Sequence, residues 1–213
     1  MSDPAGKKTI RRNEIRRLGI FGGTFDPVHL GHLICADQLL QALGLDLVLF
    51  IPANSPPHKP AVEPAAPEHR LSMVRLAIQG HRFFSESDTE IRRGGKSFTI
   101  DTVLELRRDY GADVELWLLM GQDSYQDVST WKSPDRIAGE CFFGVARRPG
   151  CKRAKGSPLP GLRSEFVDIT AVDISSTDIR ARLSDALSIR YLVPPAVEDY
   201  IRANGLYTPT GSG

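Results

Sequence analysis

The sequence predicts a doubly wound α/β fold with a mainly parallel sheet and a small helical part towards the C-terminus. Three observations predict it. Short runs of consecutive apolar residues, the pattern of strands covered on both faces, alternate with segments whose apolar residues recur every three or four positions. That alternation suits parallel strands joined by helical crossovers. A glycine loop also follows the first apolar run and opens onto the first helical segment, and such sheets bind ligands beyond the carboxyl ends of their strands.

Taken in order, residues 18–21 read as the first strand and 32–43 as the first helix, stopped by Gly44. Residues 47–51 form a second apolar run, and 68–79 a helix stopped by Gly80. Residues 89–91 are expected as a strand, 99–108 as a helix stopped by Gly111, and 114–120, 141–146 and 166–169 as further strands. Residues 177–187 and 195–203 close the series as helices. Two loops stand out. Residues 52–67 are proline-rich and therefore stiff and non-helical, carry His58 and Lys59, and start at a strand carboxyl end, which puts them at the border of a site. Residues 147–163 read as a solvated basic loop, except that Arg147 and Arg148 sit at a strand end. Residues 1–16 and 208–213 show no period that could bury a face and are expected as flexible tails around a single domain, 17–207.

Composition narrows the function. The 213 residues are 41% hydrophobic and 25% charged, enough for a sizeable single core. Because 27 basic residues nearly balance 26 acidic ones, the net charge is only +1 and no global field recruits nucleic acid or an anionic membrane. Any anion must be bound locally. Cys35, Cys141 and Cys151 are irregularly spaced without a C-x-x-C pair, which predicts reduced thiols in a cytoplasmic protein and argues against a zinc ribbon. No secretory h-region is seen, and no window approaches the roughly 18 apolar residues of a membrane span.

The first chemical constellation is Gly22-Gly23-Thr24-Phe25-Asp26-Pro27-Val28-His29-Leu30-Gly31-His32. Gly22 and Gly23 let backbone approach anionic oxygens, and unpaired N–H groups in the first helical turn favour negative charge there. His29 and His32, three residues apart at the loop-to-helix junction, can present both imidazoles to phosphate oxygens and follow charge that develops during transfer. There is no G-x-x-x-x-G-K-[ST] and no G-x-G-x-x-G after a strand, so neither a P-loop nor a dinucleotide fingerprint is present. A zinc role for the histidines lacks the H-E-x-x-H spacing. The second constellation is Ile174-Ser175-Ser176-Thr177-Asp178-Ile179-Arg180. Hydroxyls at a helix start are routine N-caps. Three in succession exceed what one cap needs, however, and an arginine in the first turn opposes the helix dipole unless an anion is bound there too, which points to a second phosphate clamp.

With these motifs, and with Pro56-Pro57-His58-Lys59, Ser97-Phe98-Thr99-Ile100-Asp101-Thr102, Gly121-Gln122-Asp123-Ser124, Trp131 and Ile189-Arg190-Tyr191-Leu192-Val193-Pro194, the chain from about Leu18 to Tyr207 resembles bacterial nicotinate-nucleotide adenylyltransferases. These belong to a nucleotidyltransferase superfamily marked by an H-x-G-H loop and an I-S-S-T-x-I-R helix start. The resemblance implies a Rossmann-like fold and transfer of the adenylyl group of ATP to nicotinate mononucleotide. It also implies Mg²⁺, held mainly by ATP phosphates with no protein metal ligand. Such chemistry needs alignment and charge neutralisation more than a nucleophilic side chain.

By the same resemblance His29, His32 and Arg180 are catalytic, contacting the ATP phosphates. Gly22, Gly23, Thr24, Phe25, Gly121, Asp123, Ser176 and Thr177 bind ATP, with Asp123 accepting from the ribose. Lys59, His58 and Arg147 pair with the mononucleotide phosphate, Trp131 stacks on its pyridine ring, and the Thr99 backbone meets its carboxylate. The competing readings are a loop or N-cap aspartate for Asp123, where the ribose role is favoured, and a core residue for Trp131, whose polar neighbours Thr130 and Lys132 suggest a surface loop instead. Phe98 and Gln122 depart from the usual pattern, where tyrosine and a small residue are common. The alternatives are another acceptor, nicotinamide mononucleotide or pantetheine phosphate, or a nucleotide-binding protein without turnover. Retention of both histidines and Arg180 speaks against the last. The oligomeric state is left open.

Overall fold

The computed structural model describes residues 11–55, 63–147 and 157–208. Among these, six parallel strands form one sheet in the order β3-β2-β1-β4-β5-β6: β1 Arg17–Gly23, β2 Leu47–Pro52, β3 Phe84–Glu86, β4 Glu115–Gly121, β5 Cys141–Arg147 and β6 Arg163–Asp168. Period-two alternation divides the core between the two faces of this sheet. Leu18 and Ile20 of β1 join Leu49, Ile51, Leu116 and Leu118 on one face, under α4 (Thr99–Tyr110) and α6 (Pro134–Glu140). Phe21 joins Val48, Phe50, Trp117 and Leu119 on the other, under α1 (Leu30–Ala42), α2 (Pro67–Ala77), α7 (Ser176–Ser184) and α8 (Pro195–Ala203). The expected helix stops hold: Gly44, Gly80 and Gly111 have φ of 59°, 91° and 91°, where a side chain would be strained.

The structure corrects several expectations. Residues 89–91 are not a strand but lie in a short helix, α3 (Thr89–Arg93). Thr89 and Glu90 are buried there, and the turn is tied by Arg92 to Asp88 and by Thr102 to Glu90. The edge strand is instead β3, three residues long, beside Val48–Phe50. The last strand begins earlier than expected and α7 ends three residues sooner, at Ser184. Two further helices, α5 (Gln122–Gln126) and α6, follow β4 and are joined by a 3₁₀ turn, Asp127–Thr130. Within the segment expected as the N-terminal tail, Arg12–Glu14 form a 3₁₀ turn and Ile15 is buried in the core.

One feature of the sheet positions the site. β1 pairs with β4 only from Arg17–Glu115 to Ile20–Leu118, whereas β1 stays paired with β2 as far as Gly23, and β4 with β5 as far as Gly121. Beyond Ile20 and Leu118 the two central strands therefore part. The parting lies where the strand order reverses, at the carboxyl edge, which is where open α/β sheets bind ligands.

Candidate active site

Two clefts meet at this parting and share Gly22, Gly23, Leu119, Met120 and Ser124 as a common wall. The larger, about 420 Å³, lies over the α1 face and takes in Phe25, His29, Gly31, His32, Gly121, Asp123, Ser175 and Ser176. The smaller, about 210 Å³, lies over the α4 face and takes in Glu90, Ser97, Thr99, Thr102 and Trp131.

In the larger cleft the two imidazoles are stacked, with centroids 3.7 Å apart. Packing sets their positions. The Phe25 ring lies edge-on to His32 at 5.1 Å, and a Cβ on Gly23 would come within 3.1 Å of that ring. A Cβ on Gly31 would come within 3.1 Å of the His29 imidazole, so a side chain there would push that ring from its seat over the helix start by a few tenths of an ångström. The His29 backbone N–H donates to Nδ1 of His32 at 3.2 Å. An N–H cannot donate to a protonated nitrogen, so the proton of neutral His32 sits on Nε2. Burial, and secondarily the neighbouring His29, push the His32 imidazole down to about 3. His32 is thus a neutral donor whose tautomer is set by the backbone of its partner.

The three hydroxyls of the α7 start play separate roles. Ser175 is the N-cap, accepting from Asp178 N–H at 3.0 Å. Ser176 Oγ donates to the Pro27 carbonyl at 2.8 Å, bracing α7 against the histidine loop. Thr177 Oγ1 accepts from Arg180 Nη2 at 3.4 Å. Arg180 Nη1 donates to the Asp26 carbonyl at 2.7 Å and lies 3.6 Å from Asp26 Oδ2. The α1 start offers fewer amides than expected, because Leu30 N–H donates to the Leu192 carbonyl at 2.9 Å. Through that bond the 189–194 segment caps the helix carrying the histidines.

In the smaller cleft Thr99 is the first residue of α4, and Trp131 follows the 3₁₀ turn after β4. Behind them Thr102 donates to Glu90 at 2.6 Å and accepts from Arg93 at 2.9 Å, and Arg93 pairs with Glu105 at 3.2 Å.

The comparisons with known proteins agree on one family. Residues 20–182 match the model of the cytidylyltransferase-like family. A protein of Thermomicrobium roseum named probable nicotinate-nucleotide adenylyltransferase is 46% identical over 197 residues, covering 90% of this chain and 91% of its own. One of Thermus thermophilus with the same name is 45% identical, covering 90% and 99%. The chain belongs to the nicotinate-nucleotide adenylyltransferase family. Solved structures share the fold: a Plasmodium falciparum nicotinic acid mononucleotide adenylyltransferase complexed with NaAD has a TM-score of 0.71 at 19% identity, covering 90% of this chain and 97% of that one. A putative nicotinate-nucleotide adenylyltransferase from Vibrio parahaemolyticus has a TM-score of 0.67 at 19% identity, covering 92% and 98%.

Set against the site residues expected of a nicotinate-nucleotide adenylyltransferase, the clefts gather most of them. Gly22, Gly23, Phe25, His29, His32, Gly121, Asp123 and Ser176 line the larger cleft, and Thr99 and Trp131 the smaller. Thr24, Thr177 and Arg180 are not among the residues lining either cleft, although Arg180 ties Thr177 to the Asp26 carbonyl beside it. Arg147 is not brought in: its guanidinium pairs at 2.9 Å with Asp168 on the adjacent strand and lines neither cleft. His58, Lys59 and Arg148 lie outside the described residues. Among the described residues no helix is long and apolar enough to cross a membrane. Residues missed from the sequence include Glu90, concealed by the expectation of a strand, and the buried residues Asp26 and Arg70. Arg70 donates to the carbonyls of Thr24, Asn54 and Ala65 at 2.8, 3.0 and 2.8 Å, pinning the Gly22–His32 loop to the ends of the proline-rich loop. An arginine beside Leu71, Met73 and Val74 on a buried helix face was its only signal.

Proposed function

We propose that this protein transfers the adenylyl group of ATP to nicotinate mononucleotide, releasing nicotinate adenine dinucleotide and pyrophosphate. The observation that carries the reading is the pair of clefts with a common glycine wall at the parting of β1 and β4. Two nucleotides seated there would meet over Gly22 and Gly23. An oxygen of the mononucleotide phosphate attacks the α-phosphorus of ATP, the new P–O bond forms as the bond to pyrophosphate breaks, and no covalent enzyme intermediate arises. No side chain needs to act as a nucleophile; the protein aligns the reactants and neutralises charge.

His32, fixed as an Nε2–H donor, and His29 stacked on it would donate to phosphate oxygens as charge moves onto the leaving group. Arg180 with Ser176 and Thr177 would hold the distal phosphates, and Asp123 the ribose. The acceptor ring would stack on Trp131 with its carboxylate towards the first amides of α4 at Thr99. Lys59, and His58 with it, would meet the acceptor phosphate. The groups placed at the phosphates are imidazoles, hydroxyls and a guanidinium. These donors suit phosphate oxygens and not a hard cation, so Mg²⁺ enters on the ATP oxygens. The test is pyrophosphate release with ATP, Mg²⁺ and either nicotinate or nicotinamide mononucleotide. Turnover with the nicotinate form is expected, and turnover with neither mononucleotide would sink the assignment.

A further inference from the structure

Tyr207, close to the end of the described chain, has no part in either cleft, yet its hydroxyl reaches the centre of the triphosphate loop. It donates to Asp26 Oδ1 at 2.6 Å across 181 positions of sequence. Asp26 is only 4% exposed, and the same oxygen accepts the Ala65 backbone N–H at 3.0 Å. The other carboxylate oxygen, Oδ2, lies 3.6 Å from Arg180 Nη1, too far for a good hydrogen bond, while the Asp26 carbonyl takes the same nitrogen at 2.7 Å. Asp26 therefore stands between two claims: a hydroxyl and an amide hold one oxygen, and a guanidinium faces the other.

We propose that Tyr207 is a positioning residue for adenylyl transfer, acting through Asp26 on Arg180. With the hydroxyl in place the carboxylate is held turned towards Tyr207 and Ala65, and Arg180 rests against the backbone carbonyl of Asp26. A five-donor fork whose Nη1 takes that carbonyl and whose Nη2 reaches only Thr177 Oγ1, at 3.4 Å, still has N–H groups for phosphate. Without the hydroxyl the carboxylate has one anchor fewer, rotates, and closes on Arg180 as a full ion pair. An arginine paired in that way is withheld from the developing charge of the leaving group. Burial, and secondarily the bond to Asp26, raise the Tyr207 phenol further above its ordinary value, so the hydroxyl stays a donor throughout the working pH range. The proposal rests on the reading that Arg180 holds the triphosphate.

The experiment is a double-mutant cycle in the full chain, with kcat and both KM values from pyrophosphate release for wild type, Tyr207→Phe, Arg180→Ala and the double variant. Tyr207→Phe is expected to lower kcat on the order of tenfold with the mononucleotide KM unchanged, and to have less than about a twofold effect when Arg180 is already alanine. A slow Arg180→Ala on which Tyr207→Phe imposes the same further loss overturns the proposal and leaves the Arg180 reading standing. An Arg180→Ala as fast as wild type rejects that reading and the proposal with it. An unchanged kcat in Tyr207→Phe alone also overturns the proposal. Should Tyr207→Phe melt below the assay temperature, the same cycle is run at a lower temperature at which circular dichroism shows all four proteins folded.

Discussion

On the histidine side of the cleft the positioned groups are anchored from within: His29 and Asp26 are buried, and Arg70, with no exposed surface, holds three carbonyls. On the Trp131 side the anchor is outside. Lys132, next to Trp131, reaches Asp101 at 3.1 Å and lies 4.5 Å over the Phe98 ring, with Lys132 and Asp101 side chains 48% and 36% exposed. The contrast separates two requirements. Charge stabilisation needs donors fixed before the substrate arrives, and buried bonds supply that at a high cost of disruption. Recognition of the acceptor ring tolerates adjustment, and a solvent-screened pair over an aromatic ring, typically about 1 kcal/mol or less, can be altered without disturbing the fold.

Substitutions on the two sides should then differ in kind as well as size. The largest effect is expected for Arg70→Met, which leaves three partly buried carbonyls without their buried donor and should cost about 3 kcal/mol or more of stability in denaturant melts. A loss below about 1 kcal/mol would show that the inner anchor is no stronger than the outer one. Next comes His32→Ala, which should lower kcat by about 10² or more with the fold retained by circular dichroism. His32 also carries a pH signature. Its imidazole, pushed down to about 3, stays neutral in the folded chain while the unfolded histidine protonates near 6.5. The unfolded state binds the extra proton, so this contribution to stability is complete above about pH 6.5 and is lost as the pH falls towards 3. Melts of His32→Gln should show a correspondingly shallower decline than wild type over that window.

On the outer side, Trp131→Ala should raise the mononucleotide KM about tenfold while the ATP KM stays within twofold, in keeping with the loss of one stacked ring. Equal changes in both KM values would mean that Trp131 does not belong to one substrate alone. The smallest effect is expected for Lys132→Ala, about two- to fourfold in the mononucleotide KM, reduced further at high salt and largely restored by Lys132→Arg. A salt-independent loss of tenfold or more would erase the contrast between the two sides.

What could be read beforehand follows the range of the interactions. The strands 47–51, 114–120 and 141–146 are runs whose burial on both faces is written in consecutive residues, and the helix ends at Gly44 and Gly111 need only a local left-handed backbone. Residues 89–91 misled because threonine and isoleucine favour strands in isolation, while their conformation here depends on Glu90 meeting Thr102 from α4. β3, with three residues and polar neighbours, has no period to detect. In the site, Gly22 to His32 and Ser175 to Arg180 were legible because each is contiguous. Arg147 was placed at a strand end correctly, but nothing local announced Asp168 on the next strand. The bond from Tyr207 to Asp26 exists only once the whole chain has closed.

The shared wall of Gly22, Gly23, Leu119, Met120 and Ser124 bears on how the reaction ends. On the proposed reading the clefts would hold two separate molecules before transfer, each free to leave by itself. Afterwards one molecule occupies both, and its two halves hold each other in place: when one end lifts, the other keeps it at high effective concentration over the vacated cleft. The product is thus a bivalent ligand for the enzyme that made it. On that reading it would compete with both substrates at once, and accumulating dinucleotide would slow its own synthesis by reoccupying both clefts.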